Sequence, residues 1–256
     1  PLSDAAQVKR AGYRFAGYWT TREGDGTCVY GPDYKATMVM SPYVDNYTLY
    51  ARWEVDSSIL SVTSSGDGAS ALDVHGNTSI TLRDAVNALV ANPNLVGADG
   101  RRRVTFEKLD ATNRVIQLAS QIEIPAGTRS FEINGLCELE PGVKGVEIVA
   151  GPGSRHLHFK GKSSDGGAFS LASLTFTGGN TTDDGGGSIR IRGGNTSVYI
   201  DNCSFIGNKA ASGAGGAIFA EGVRNGVDVE GWTDLLVSST TFAGNSAQNA
   251  GAITFH

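Results

Sequence analysis

One short phrase is written three times in the last third of the chain, and it limits the possible folds more than any other feature. Leu174-Thr175-Phe176 leads through Gly178-Gly179-Asn180 to Gly186-Gly187-Ser188-Ile189. Cys203-Ser204-Phe205-Ile206-Gly207-Asn208 leads to Gly215-Gly216-Ala217-Ile218, and Thr241-Phe242-Ala243-Gly244-Asn245 leads to Gly251-Ala252-Ile253. Self-similarity at a period of a few tens of residues marks a stacked repeat, whose units bury their apolar faces only against neighbouring units. The β-type runs, such as Val198-Tyr199-Ile200 and Leu235-Leu236-Val237, end at Gly, Asn or Asp after a few residues, and no helix-length periodicity appears among them. They predict an all-β chain wound as a right-handed parallel β-helix. Phe176, Phe205 and Phe242 then form one internal stack, and Ile189, Ile218 and Ile253 another. Asn180, Asn208 and Asn245 are placed at the turn, where Asn tolerates left-handed backbone and its amide can bond to the next coil. An insertion from Glu221 to Asp234 lengthens the second repeat, as expected of a loop on one face of a solenoid.

Gly215-Gly216-Ala217-Ile218 with Phe205-Ile206-Gly207-Asn208 resembles the repeats of bacterial polymorphic outer-membrane proteins, whose signature pairs GGAI with Phe-x-x-Asn. The third copy keeps Phe242-Ala243-Gly244-Asn245 but reads Ala250-Gly251-Ala252-Ile253. The first has Ser188 for Ala, and its Asn180 lies one residue late. The resemblance implies a β-solenoid of surface or secreted type.

The 256 residues leave room for a small domain besides the solenoid. A net charge of -5 without a long basic run argues against a nucleic-acid partner, and Arg101-Arg102-Arg103, the one basic cluster, reads as a solvated loop. Cys28, Cys137 and Cys203 show no metal-ligand spacing, and Cys137 and Cys203 read as small core hydrophobes. No apolar run approaches the ~20 residues that cross a bilayer as a helix. Pro1 is read as the start of a processed or excised chain, and further coils are expected after His256.

Residues 1–54 differ from the rest: they hold Trp19, Trp53 and most of the tyrosines. Ala11-Gly12-Tyr13-Arg14-Phe15-Ala16-Gly17-Tyr18-Trp19 reads as a turn and a strand. Tyr47-Thr48-Leu49-Tyr50-Ala51-Arg52-Trp53 alternates strictly, with its aromatics assigned to a core rather than to sugar binding. The pair looks like the Listeria–Bacteroides repeat, the internalin B-type module, which implies a small β-grasp-like unit serving as spacer or adhesion element. Its usual opening strand is absent here, so the module is expected to be incomplete.

Residues 55–256 are assigned to the β-helix, with a cap over about 59–95. Ile59-Leu60-Ser61-Val62-Thr63 reads as a strand. Thr81 and Asp84 form a capping box for a helix that runs to Asn92-Pro93 and gathers Leu82, Val86, Leu89 and Val90 on one face. A lone amphipathic helix ahead of a solenoid can hide the apolar end and free strand edges of the first coil. Ser65-Gly66-Asp67-Gly68 with Leu82-Arg83-Asp84-Ala85-Val86 resembles the CSLREAI-type cap of secreted β-helices, with Ile80 in place of the Cys. Arg83 and Asp84 are given capping and helix-surface roles.

A lyase on such a scaffold needs clustered carboxylates holding a cation beside a basic residue, and a hydrolase needs two facing carboxyl groups. The nearest approach is Asp183-Asp184 with Arg190, Arg192 and Asp201; the arginines alternate with Ile189 and Ile191 and so point outward. His156 and His158 alternate with Leu157 and Phe159 and so fall on one face, a spacing that permits metal binding, with no third ligand nearby. Asp228, Glu230, Trp232 and Asp234 share the inserted loop, an acidic surface with an aromatic, and are the candidate ligand-binding residues. The expectation is a monomeric, non-catalytic adhesin-like protein, secreted or on a bacterial cell surface. It displays loops to a host or matrix protein or glycan, with no nucleic-acid or membrane contact of its own. No catalytic residue, metal or cofactor is assigned. The alternative is a polysaccharide lyase or glycoside hydrolase on the same scaffold.

Overall fold

The computed structural model describes residues 13–38, 48–55, 57–67, 79–97, 99–106, 109, 114–135, 145–161, 166–183, 185–225, 228–231 and 233–256. The chain is all-β in class, and its single α-helix among the described residues precedes a set of parallel sheets.

The first sheet is antiparallel. Strands β1 (Tyr13–Trp19), β2 (Cys28–Tyr30) and β3 (Tyr50–Val55) lie in the order β2-β1-β3. Phe15 is buried against Tyr18, Tyr34 and Trp53, its ring stacked 4.7 Å from that of Tyr34. The opposite side holds Arg52 4.2 Å over the Trp19 ring, with its guanidinium donating to Thr21 and Gly24 of the following loop. Gly17 sits at a bulge with φ +115, where a Cβ would lie 2.5 Å from the Tyr30 carbonyl oxygen. Phe15, Tyr18, Tyr34 and Trp53 thus pack on one another, while Tyr47 lies outside the described residues.

Residues 57–60 form a 3-10 turn rather than the expected strand; only Ser61 bridges onward, to Thr105. Helix α1 (Leu82–Ala91) starts at the capping box read from the sequence. The Asp84 amide donates to Thr81 Oγ1 at 3.2 Å, and the Thr81 amide donates to Asp84 Oδ2 at 3.0 Å. Its buried face (Leu82, Ala85, Val86, Ala88, Leu89) joins the same core as Phe106, Ile116 and Ile122. Arg83 is not a helix-surface residue. Its guanidinium grips the buried Asp67 carboxylate with two bonds of 2.7 and 2.6 Å and donates to the Ser120 and Gln121 carbonyls; Asp67 also accepts the Ala119 amide. The helix is thereby tied to the first turn of parallel strands.

Those strands come in rounds. β4 (Arg103–Val104), β5 (Val115–Gln117) and β6 (Ile122–Ile124) are followed by β7 (Phe131–Asn134), β8 (Val146–Val149) and β9 (Leu157–Lys160). The third round is β10 (Ala168–Ala172), β11 (Leu174–Thr177), β12 (Asn180–Thr181) and β13 (Ile189–Arg192). The fourth is β14 (Thr196–Asp201), β15 (Ser204–Ile206), β16 (Lys209–Ala214) and β17 (Ile218–Glu221). A hairpin, β18 (Val223–Asn225) with β19 (Asp228–Gly231), precedes β20 (Thr233–Ser238), β21 (Thr241–Ala243), β22 (Ser246–Asn249) and β23 (Ile253–Phe255). Three five-stranded parallel sheets result: sheet I is β4-β7-β10-β14-β20, sheet II β5-β8-β11-β15-β21 and sheet III β6-β9-β13-β17-β23, with β12-β16-β22 as a small sheet IV. The chain visits sheets I, II and III in rotation.

Alternation sends every second side chain into the core, where columns of like residues form. In sheet II, Ile116, Ile148, Phe176, Phe205 and Phe242 are in register, and the three rings stack 5.0 and 5.1 Å apart at 14° and 6°. In sheet III, Ile122, Leu157, Ile189, Ile218 and Ile253 do the same.

The corner after sheet II corrects one expectation. Left-handed backbone belongs to Gly178, Gly207 and Gly244 (φ +72, +63, +64), not to the asparagines. Asn208 and Asn245 follow those glycines and form a ladder. Asn208 Nδ2 donates to the Phe176 carbonyl at 3.1 Å, Asn245 Nδ2 to the Phe205 carbonyl at 2.9 Å, and Asn245 Oδ1 accepts the Asn208 amide. Gly179, not Asn180, occupies the ladder position in the first copy; its amide donates to Asn208 Oδ1, and a Cβ there would lie 2.2 Å from the Gly187 carbonyl oxygen. Asn180 pairs with Lys209 in sheet IV and is exposed.

Arg101-Arg102-Arg103 is likewise no solvated loop beyond its first member. Arg102 donates to the carbonyls of Leu89, Asn92 and Leu95, closing the C-terminal end of α1, and to Ser130; Arg103 pairs with Glu132 and Asp99. Cys203 is free and buried, and burial pushes its thiol up to about 11, which suits the core role expected of it. Cys137 lies outside the described residues.

Candidate functional site

Residues that alternate away from the core make the outer faces of the sheets, and that of sheet I is the most distinctive. Its central column runs Arg103, Glu132, Ser170, Tyr199 and Leu236 in register. Tyr199 and Leu236 are 41% and 59% exposed, large apolar groups at positions that polar side chains occupy elsewhere on the face. On one side of this column stand Ser197 and Asp234, on the other Asp201 and Ser238. Each carboxylate is held along the ladder. Ser197 Oγ donates to Asp234 at 3.2 Å, Ser238 Oγ to Asp201 at 2.6 Å, and Asn134 Nδ2 and Arg103 Nε to Glu132 at 2.8 and 3.0 Å.

At the earlier rounds this face deepens into a groove of about 520 Å³. Its floor is the start of β7 and β10 with Tyr199, and its wall is the loop at Val96, Gly100 and Arg101 and the turn at Arg129 and Ser130. Tyr199 is legible in hindsight as the one aromatic at the polar position of a strictly alternating strand, Thr196–Asp201.

The inserted loop of the second repeat is the β18–β19 hairpin, whose chain returns directly into β20. Asp228 and Glu230 lie on β19, but their side chains, and Trp232 altogether, are outside the described residues. Asp234 is the candidate whose surroundings are defined: it stands beside Ser197 on the same face as Tyr199 and Leu236.

The other constellations come apart. Arg190 does not point into solvent: it is buried, its guanidinium 2.7 Å from Glu221 Oε1 and 5.8 Å over the Phe219 ring. Arg192 is exposed, 3.6 Å from Glu221, and Asp184 lies outside the described residues. Asp183 binds Arg155, a residue with no local signature in the chain. Arg155 is 2% exposed, and its guanidinium donates to the Gly185 and Gly186 carbonyls, Thr181 Oγ1 and Asp183 Oδ2. It fastens Thr181, Asp183, Gly185 and Gly186 beside the start of β9. Gly185 lies so close to Phe219 that a Cβ would meet its ring at 2.8 Å.

His156 and His158 do not share a face, because the strand begins only at Leu157. His156 turns inward and is fully buried, edge-on to Phe176. Its Nε2 lies 3.0 Å from the Ile148 and Thr177 carbonyl oxygens and its Nδ1 2.9 Å from Ser188 Oγ. Two carbonyls at Nε2 fix the neutral tautomer with its proton there, and burial pulls the pKa down to about 4. His158 points outward between Glu123 and Arg190, and burial, then the charges of Arg155 and Arg190, bring it too down to about 4. A pair divided between core and outer face cannot chelate one ion. Among the described residues no group of three or more His, Cys, Asp or Glu is placed to hold a metal, and no helix is long and apolar enough to cross a membrane.

No protein-family model matches the chain, and comparisons with curated proteins and with solved structures gave no match.

Proposed function

We propose that the chain is a non-catalytic, adhesin-like protein, secreted or displayed on a bacterial cell surface, in which a rigid right-handed parallel β-helix carries a ligand-binding outer face. The rotation of the chain through sheets I, II and III supports the winding. Right-handedness follows from the general rule for a strand, crossover and parallel strand in one sheet. Residues 1–54 are read as an incomplete β-grasp-like Listeria–Bacteroides module acting as spacer, and α1 as the cap of the first coil. The resemblance to polymorphic outer-membrane protein repeats supports the surface assignment.

The observation that carries the reading is the outer face of sheet I. Tyr199 and Leu236 stand exposed there among serines and carboxylates, and Asp234, on the strand that follows the inserted hairpin, lies on the same face. Exposed aromatic and aliphatic groups within a polar frame are what a contact surface requires. Each carboxylate of the face serves as an acceptor for a neighbouring side chain, which suits a scaffold rather than an acid–base pair. Glycan and protein arrays probed with the intact chain and with residues 222–232 replaced by a short turn test the proposal. Hairpin-dependent or Tyr199-dependent retention is expected; turnover of a polysaccharide by the purified chain would overturn it in favour of a lyase or hydrolase.

A further inference from the structure

We propose that the groove at the early rounds of sheet I takes an acidic saccharide, with carboxylates facing the arginine wall and a sugar ring laid on Tyr199. This rests on the reading that the outer face of sheet I binds ligand, and it names the ligand's chemistry. Charge is the first reason. Of the arginines at the groove, Arg103 is neutralised by Glu132 and Asp99. Arg102 spends its donors on the carbonyls of Leu89, Asn92, Leu95 and Ser130, where the C-terminal dipole of α1 offsets only part of its charge and no carboxylate pairs with it. Arg129 is exposed with one bond to the Pro93 carbonyl, and Arg101 is exposed with no side-chain partner among the described residues. Arg101, Arg102, Arg103 and Arg129 thus stand against two carboxylates, Asp99 and Glu132, both already engaged by Arg103, which leaves an excess of positive charge. Such a wall attracts an anion, and planar guanidinium forks suit carboxylates.

Shape and polarity supply the second reason. Tyr199 stands two strands from β7, about 10 Å from the Glu132 column position at the usual spacing of parallel strands. The intervening surface carries the Ser170 hydroxyl, with Ser130 at the turn. A ligand there meets charge at one end, hydroxyl partners along the floor and a flat ring at the other end. A pyranose uronate chain offers each of these: carboxylates, hydroxyls and an apolar C–H face that packs on an aromatic. An acidic peptide satisfies the charge but leaves the ring without a matching face.

The test is titration calorimetry of the full chain with tetragalacturonate, its carboxyl-reduced neutral counterpart and hexaglutamate. Tetragalacturonate is expected to bind at least about tenfold tighter than either comparator, the worth of one charge-assisted hydrogen bond. The double variant Arg101→Ala/Arg129→Ala should erase the preference over the neutral oligomer. Tyr199→Ala should weaken both saccharides by a similar factor while keeping that preference. All three positions are exposed, and unchanged circular dichroism will show that the variants fold. Equal binding of hexaglutamate, or tetragalacturonate binding indifferent to the double variant, overturns the assignment. Absence of tetragalacturonate binding together with hairpin-dependent array signals removes the acidic saccharide and leaves the binding role standing; blank arrays as well remove both.

Discussion

Acid should loosen this protein through a residue that has no part in the surface. His156 is sealed in the core with both ring nitrogens engaged, and its pKa stands at about 4 against the usual 6.5. Between those values the unfolded chain binds a proton that the folded chain refuses. Stability therefore rises with pH across this window: it is complete above 6.5 and falls as the pH drops towards 4. One proton corresponds to a slope of about 1.4 kcal/mol per pH unit, so the full window is worth about 3 kcal/mol. His158 shifts the same way and adds to the wild-type slope, so the contribution must be isolated by difference. His156→Gln serves, because its amide can donate to the Ile148 and Thr177 carbonyls and accept from Ser188 without titrating. In urea unfolding at half-unit steps from pH 7.5 to 4.5, the wild type should lose stability relative to the variant by about 1.4 kcal/mol per unit as the pH falls from 6 to 5. Parallel curves, or a His156 ring proton that titrates near 6.5 by NMR in the folded protein, would refute the reasoning.

Three further perturbations probe the ladder, the corner and the cap. Asn208→Asp keeps the acceptor for the Gly179 amide but turns a second oxygen towards the Phe176 carbonyl and Asn245 Oδ1; a loss of about 3 kcal/mol or more in urea unfolding at pH 7 is expected, and a change under 1 kcal/mol counts against the ladder. Gly186, Gly215 and Ala250 occupy one left-handed column (φ +68, +65, +52), so Ala250→Gly should stabilise by about 0.5–1 kcal/mol. Gly215→Ala, whose Cβ would lie 2.1 Å from the Ile218 carbonyl oxygen, should destabilise by at least about 2 kcal/mol, so equal signs for the two changes would contradict the shared geometry. Asp67→Asn removes the charge that Arg83 grips and should cost about 2–4 kcal/mol, seen first as faster hydrogen exchange in α1 and residues 119–121.

The outer faces show why part of this molecule could be read from the chain and part could not. Alternation told which side chains leave the core, and it put Arg190 on the outer face of its strand, whereas it wrongly joined His156 to His158. It could not tell that Arg190 would be buried against Glu221 and Phe219, or that Arg155 would gather Thr181, Asp183, Gly185 and Gly186 around it. Arg155 has no local signature, because its acceptors lie 26 to 34 positions away in the chain. The arginines at 101–103 misled for the same reason. Their partners are carbonyls of the α1 terminus and a carboxylate on the next strand of sheet I. The candidate ligand loop was located as an insertion, yet the placing of its last candidate, Asp234, on the Tyr199 face depended on the register of β20 against β14.

What the sequence by itself determined is whatever repeats or is settled within a turn of chain. The Phe and Ile columns and the capping box at Thr81 and Asp84 follow from residue type, spacing and local backbone sterics. Only the tertiary structure decided which copy's Asn joins the ladder, which arginines are buried, and which exposed side chains share a face. Those outcomes depend on contacts between residues tens of positions apart, where a one-residue offset, as at Asn180, moves a side chain from a buried hydrogen-bonded stack into solvent.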